Sequence, residues 1–186
     1  MRLISLAGMA GAALALSGAP AEAAWEYYIT HQYGFSFTAP GELTITRGTY
    51  EAPVAGTLNS VVIKSSEAGV DYQVTVIDMT AEQKNAATLF YEAAYNFQDG
   101  KRVLMDAVSR ADRHFGRKLT VELPGNAGRS TGQYYFVDGR LLEMRTTISA
   151  GGDFGSPDIA RFIDSVAFYS DMANPESVEL SLPELQ

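Results

Sequence analysis

Residues 133–149 read QYYFVDGRLLEMRTTIS, and this stretch decides the fold. Gln133 to Val137 and Arg140 to Ser149 are rich in β-branched and aromatic residues. Asp138-Gly139 between them tolerates the positive φ angles of a type I′ turn. The stretch therefore predicts a tight antiparallel hairpin, and its flanks extend the same pattern. Upstream, Leu119, Val121 and Leu123 alternate with polar residues as one face of a strand. Further back, Thr57 to Ser65 and Val70 to Met79 flank the break Glu67-Ala68-Gly69 as a second hairpin. In its second arm Tyr72, Val74 and Val76 share one face, and Gln73, Thr75 and Ile77 the other, as in a half-buried antiparallel strand. Trp25 to Thr30, Gly34 to Thr38 and Leu43 to Tyr50 add three more strands, the second ended by Pro40-Gly41.

The period changes twice. Ala86, Leu89, Phe90, Ala93, Ala94 and Phe97 recur at helical spacing behind a T-x-x-Q capping box at Thr80 and Gln83, with Gly100 as a stop. Ser156 with Pro157 and Asp158 opens a second helix whose stripe is Ile159, Phe162, Ile163 and Val166. Residues 101–113 fit either a helical stripe or an edge strand. Strands, a helix, more strands and a helix make an α+β domain, with helices laid on an antiparallel sheet.

Four segments resemble one superfamily. Gly34-Phe35-Ser36-Phe37-Thr38-Ala39-Pro40 is similar to its opening G-F-S-F-x-x-P strand and turn. Gly116-Arg117-Lys118-Leu119 is similar to its G-R-E-L strand, with Lys118 in place of the acid. Asp138-Gly139-Arg140-Leu141 resembles its g-R-L-Y hairpin, with Leu142 in place of the aromatic. Phe162-Ile163-Asp164-Ser165-Val166 resembles its closing F-L-x-S-F helix end. The chain so resembles the PsbP-like proteins, named after an extrinsic subunit of photosystem II, and the DcrB-like secreted bacterial proteins of the same fold. The resemblance implies a central antiparallel sheet flanked by helices, an α/β/α sandwich; it favours a strand for part of 103–113 and implies an accessory or binding module. It brings no activity with it.

Composition bounds the rest. The 186 residues are 46% hydrophobic, which sets the chain apart from disordered proteins. There is no cysteine, so disulfides, zinc-thiolate sites and thiol nucleophiles are excluded, and only two histidines, His31 and His114, are present. Arg2, the apolar run Leu3 to Leu16 and Ala21-Glu22-Ala23 read as a secretory signal cleaved after Ala23. The run is too short for a span, and no later segment approaches one. The expected organisation is a signal peptide at 1–23, one domain at 24–170 and an acidic mobile tail at 171–186. The location that follows is periplasmic or secreted.

Net charge is −8, unevenly spread. Residues 101–145 hold 9 basic and 5 acidic side chains in an otherwise acidic protein. The overall sign does not suit nucleic acid. Within this segment Arg113, Arg117, Lys118 and Arg129 flank a strand and a glycine-rich loop, and are the candidate partner-binding residues for a protein or acidic ligand.

Catalytic and metal motifs are weak. Gly128-Arg129-Ser130-Thr131-Gly132 matches G-x-S-x-G, but a nucleophile elbow needs a helix after it and this one precedes a strand. No histidine follows Ser130, as that triad order requires. Asp112 and His114 sit among Arg113 and Arg117, whose charges disfavour a metal ion. No calcium-loop pattern occurs, and no cofactor or metal is expected. The expected function is a non-catalytic secreted or periplasmic binding or accessory protein, not an enzyme. The alternatives are a carrier of a small apolar ligand held between sheet and helices, and a serine hydrolase using Ser130.

Overall fold

The computed structural model describes residues 24–53, 55–81, 86–168 and 176–185. The expected signal peptide, its cleavage site, Gln83 of the capping box and residues 171–175 and 186 of the expected tail lie outside these. In chain order the elements are β1 (Trp25–Thr30), β2 (Phe35–Pro40), β3 (Thr44–Ala52), β4 (Gly56–Glu67) and β5 (Val70–Asp78). Then come α1 (Ala86–Gln98), β6 (Arg102–Ala111), β7 (His114–Glu122), β8 (Gly128–Val137) and β9 (Arg140–Ser149). Finally there are α2 (Pro157–Ile163), β10 (Ala167–Phe168) and β11 (Val178–Glu179). The open segment 101–113 is a strand, β6.

Seven strands form one antiparallel sheet in the order β3-β4-β5-β9-β8-β7-β6. The β8–β9 hairpin stands near its middle. Asp138 and Gly139 have φ of 48° and 74°, the pair of positive angles that closes a type I′ turn between Val137 and Arg140. Because side chains alternate, each strand feeds two cores. One face presents Ile77, Leu119, Val121, Tyr134 and Leu141, all buried, and α1 covers them with Leu89, Ala93, Ala94 and Phe97. The other face presents Val74, Val76, Tyr135, Leu142 and Met144.

That second face corrects the expected architecture. It is covered by a second sheet, in the order β10-β2-β1-β11, together with α2. The fold is therefore two sheets with one helix on the outer face and a short one at the sheet–sheet seam, not a central sheet flanked by helices. The reason is area. Helix α2 is only 7 residues long and cannot screen seven strands. Tyr28, Phe35 and Phe37 of the β1–β2 ribbon bury their rings against the large sheet instead. Phe162 of α2 joins the layers, its ring edge-on to Phe37 of the small sheet and to Tyr72 of the large one, at centroid distances of 6.5 and 5.1 Å. Helix α2 also stops at Ile163, short of Val166. The buried Gln133 amide donates to the Ile163 carbonyl at 3.0 Å, and the Ser165 hydroxyl accepts from the Thr38 amide at 2.9 Å.

The expected mobile tail needs correcting too over its described part. Strand β11 pairs parallel with β1, and the Leu180 amide donates to the Ile29 carbonyl at 2.7 Å. Leu182 is buried in the core between the sheets, and the Tyr33 hydroxyl donates to the Pro183 carbonyl at 2.5 Å. Acidic residues and prolines marked this segment as polar, but Leu180, Leu182 and Leu185 supply apolar faces that dock.

Candidate functional site

Strand alternation sorts the basic segment. Lys118 and Thr120 of β7, Arg129 and Thr131 of β8, and Thr146 and Ile148 of β9 lie on the face shared with the small sheet, with Thr120 opposite Thr131 and Thr131 opposite Thr146. Beyond the edge of the small sheet these residues floor a cleft of about 270 Å³. Phe154, Ile159 and Ala160, from the loop before α2 and from its first turns, make the opposite wall. Ser156 fixes that wall by capping the helix, accepting from the Asp158 amide at 3.3 Å.

Two of the four candidate cations meet here. The Lys118 ammonium sits 2.8 and 3.0 Å from the two carboxylate oxygens of Asp164, just past α2. The Arg129 guanidinium lies over the Phe154 ring, 4.5 Å from its centroid, and among the described residues no carboxylate pairs with it. An exposed guanidinium of this kind can grip a carboxylate or phosphate through two N–H donors. The floor is hydroxyl-rich but internally bonded, with the Thr120 and Thr131 hydroxyls 3.0 Å apart.

The other two candidates stand elsewhere. Arg117 is on the opposite face, where it grips Asp106 through two bonds of 2.9 and 2.5 Å and covers the Tyr91 ring at 4.7 Å. The hydrogen bond to Asp106 raises its pKa above the usual guanidinium value. Arg113 occupies the exposed two-residue turn between β6 and β7. The neighbouring acid and imidazole have structural duties. Asp112 accepts from the Phe168 amide at 2.6 Å, and the His114 ring packs edge-on to Phe168 at 5.1 Å, so both pin β10.

Ser130 sits in the middle of β8, not on an elbow. Its buried hydroxyl donates to the Thr146 carbonyl at 2.8 Å and lies 3.1 Å from the Thr147 hydroxyl. The glycines around it serve the sheet. A side chain at Gly128 would run into the Ile148 carbonyl of β9, and one at Gly132 would meet the Tyr134 ring. G-x-S-x-G is here a strand-packing pattern.

A buried polar cluster lies under α1. Glu143 accepts from the Tyr134 hydroxyl at 3.1 Å and from Arg145 at 2.7 Å through Nε. Burial, and next the Glu143 charge, push the Tyr134 phenol well above its usual range. Burial pulls Arg145 down, but the Glu143 charge outweighs it and the guanidinium stays raised. Phe97 of α1 covers Arg145 at 5.2 Å, so Glu143 and Tyr134 are buried while Arg145 reaches the surface.

Phe154, Asp164 and the threonine floor were not singled out by the sequence. The floor was readable in principle, since 118 and 120, and 129 and 131, are two apart on their strands. Phe154 sits outside any periodic segment, and Asp164 is the unspecified position of the closing motif, so neither was marked as a site residue.

Among the described residues no helix is long and apolar enough to cross a membrane, and no group of three His, Asp or Glu side chains is placed to hold a metal ion. No family model matches the chain, and no curated protein matches it. Among solved structures the chain is similar to the solution structure of cyanobacterial PsbP (CyanoP) from Synechocystis sp. PCC 6803. The likeness has a TM-score of 0.53 at 14% identity and covers 84% of this chain and 99% of that one. The fold is PsbP-like. The two-sheet arrangement thus agrees with the resemblance of the four motifs while replacing the helix-flanked sheet expected from it. At this identity the likeness is one of fold alone.

Proposed function

We propose that this chain is an exported, non-catalytic binding or accessory protein of the DcrB-like bacterial kind, and that it engages an acidic partner through the Lys118–Arg129 cleft. The observation that supports this is the exposed Arg129 guanidinium, held 4.5 Å over the Phe154 ring and lining a cleft beside a second cation. An approaching carboxylate or phosphate meets a bidentate donor resting on a ring and displaces Asp164 from Lys118, a partly exposed pair worth about 0–1 kcal/mol. Catalysis finds no support at Ser130, whose hydroxyl is bonded into the sheet.

The cleft also favours a second reading. Its lining residues Ile148, Phe154 and Ile159 are apolar, which suits a small amphiphile with an acidic head, the carrier function. Backbone amide shifts on titration with inorganic phosphate and with a polyglutamate peptide test the main reading. Shifts centred on Lys118, Thr120, Arg129 and Thr131 support it, and shifts confined to Arg113 and Arg117 count against it. Native mass spectrometry of the freshly purified protein separates the carrier, which would arrive with a small molecule bound.

A further inference from the structure

Strand β6 closes one end of the seven-stranded sheet, and among the described strands it is hydrogen-bonded to β7 alone. Its outer edge is a row of backbone donors and acceptors open to another strand. The register with β7 slips between Val103 and Met105, so Leu104 is an extra residue and the regular run is Met105 to Ala111. Along that run Val108 is 79% exposed. Asp106 and Arg110 flank it at two residues on either side and share its face.

This spacing is self-complementary. We propose that β6 pairs antiparallel with β6 of a second copy, in the register that sets Val108 opposite Val108. In that register Asp106 of each copy faces Arg110 of the other, so one seam carries two ion pairs about a central apolar contact. Centring two residues earlier sets Asp106 against Asp106 and Arg102 against Arg110. Centring two later sets Arg110 against Arg110. Both juxtapose like charges, and centring on Leu104 runs through the bulge. Among the registers centred on this face, charge thus selects one.

The charged groups are already held on the pairing face. Asp106 is fixed by Arg117, and Arg110 lies 5.6 Å over the Phe115 ring while donating to the Asp112 carbonyl at 2.8 Å. Phe115 and Tyr91, 63% and 65% exposed, flank the same face, so pairing joins two apolar patches across the seam. The Lys118–Arg129 cleft opens on the other face, and the dimer leaves it accessible.

The absence of cysteine from the chain makes the register directly testable. In the variant Val108→Cys, opposed Cα atoms would stand about 4.5–5.5 Å apart, within disulfide reach. In Leu104→Cys the two thiols would lie roughly 25 Å apart along the seam, out of reach. Each variant is oxidised with copper phenanthroline and run on a non-reducing gel, beside sedimentation velocity of the unaltered protein. The expected result is a concentration-dependent dimer of the unaltered protein, with Val108→Cys cross-linking at least about tenfold faster than Leu104→Cys. Val108→Lys, which sets two ammonium groups at the axis, should raise the dimer midpoint at least about tenfold. A monomer at every concentration up to about 100 µM, far above the midpoint of a specific dimer, overturns the proposal. So does equal or faster cross-linking through position 104.

Discussion

Replacing Phe162 by alanine removes the ring that joins α2, the small sheet and the large sheet. The side chain is 1% exposed and packs edge-on against Phe37 and Tyr72. Deleting a buried phenylalanine costs roughly 3–5 kcal/mol, the lost transfer energy plus the cavity left behind. The upper half applies here, because sheets hold Phe37 and Tyr72 in place and little collapse can fill the space. About 4 kcal/mol corresponds to a fall in melting temperature of roughly 8–16 °C for a chain this long. Phe162→Leu keeps most of the volume and should cost less than about 2 kcal/mol. Thermal and urea melts followed by circular dichroism measure both. A helix of seven residues has no stability of its own. If α2 were only an appendage, Phe162→Ala would free it while the sheets melted unchanged. A loss under about 1 kcal/mol, with near-ultraviolet signal from the tyrosines lost at low temperature, would refute the joining role.

Two other outcomes follow from the same packing. Burial first, and then the charges of Asp158 and Glu67, push Tyr72 up to about 12. Its phenol is neutral in the fold while the unfolded chain ionises near pH 10, so this contribution is complete below pH 10 and is lost as pH rises from 10 through 12. Urea melts of the parent and Tyr72→Phe proteins between pH 9 and 12 should differ in slope, the variant losing roughly 2–3 kcal/mol less by pH 12. Deleting residues 176–186 removes β11, the Leu180 bond to Ile29 and the buried Leu182. It should cost roughly 2–3 kcal/mol, a fall of about 4–12 °C in a thermal melt. An unchanged melting temperature would return the segment to the status of a dispensable tail.

The hairpins were legible because their signals are local. Asp138-Gly139 specifies its own turn, and Tyr72, Val74 and Val76 declare a face without reference to anything distant. Pairing between sheets was not legible. Phe35 and Phe37 announce a buried face, but nothing in their sequence says that the burying surface is the large sheet instead of a helix. The tail failed for the same reason, since Leu180 and Leu182 dock on a strand about 150 residues earlier. The basic cluster was legible as composition and not as geometry. Adjacent residues on a strand point to opposite faces, so Arg117 and Lys118 are separated by the sheet itself, while Lys118 and Arg129 are joined by pairing.

The most direct test of the binding account compares two pairs of substitutions in one assay. Fluorescence anisotropy of a labelled polyglutamate peptide would be read at low and moderate salt. The parent protein, Lys118→Ser/Arg129→Ser and Arg113→Ser/Arg117→Ser would be compared, with melting temperatures to confirm folding. The account predicts that the cleft pair loses at least about tenfold in affinity, together with most of the salt dependence, while the pair outside the cleft stays within about twofold of the parent. Equal losses from both pairs, or a loss from Arg113→Ser/Arg117→Ser alone, would contradict it.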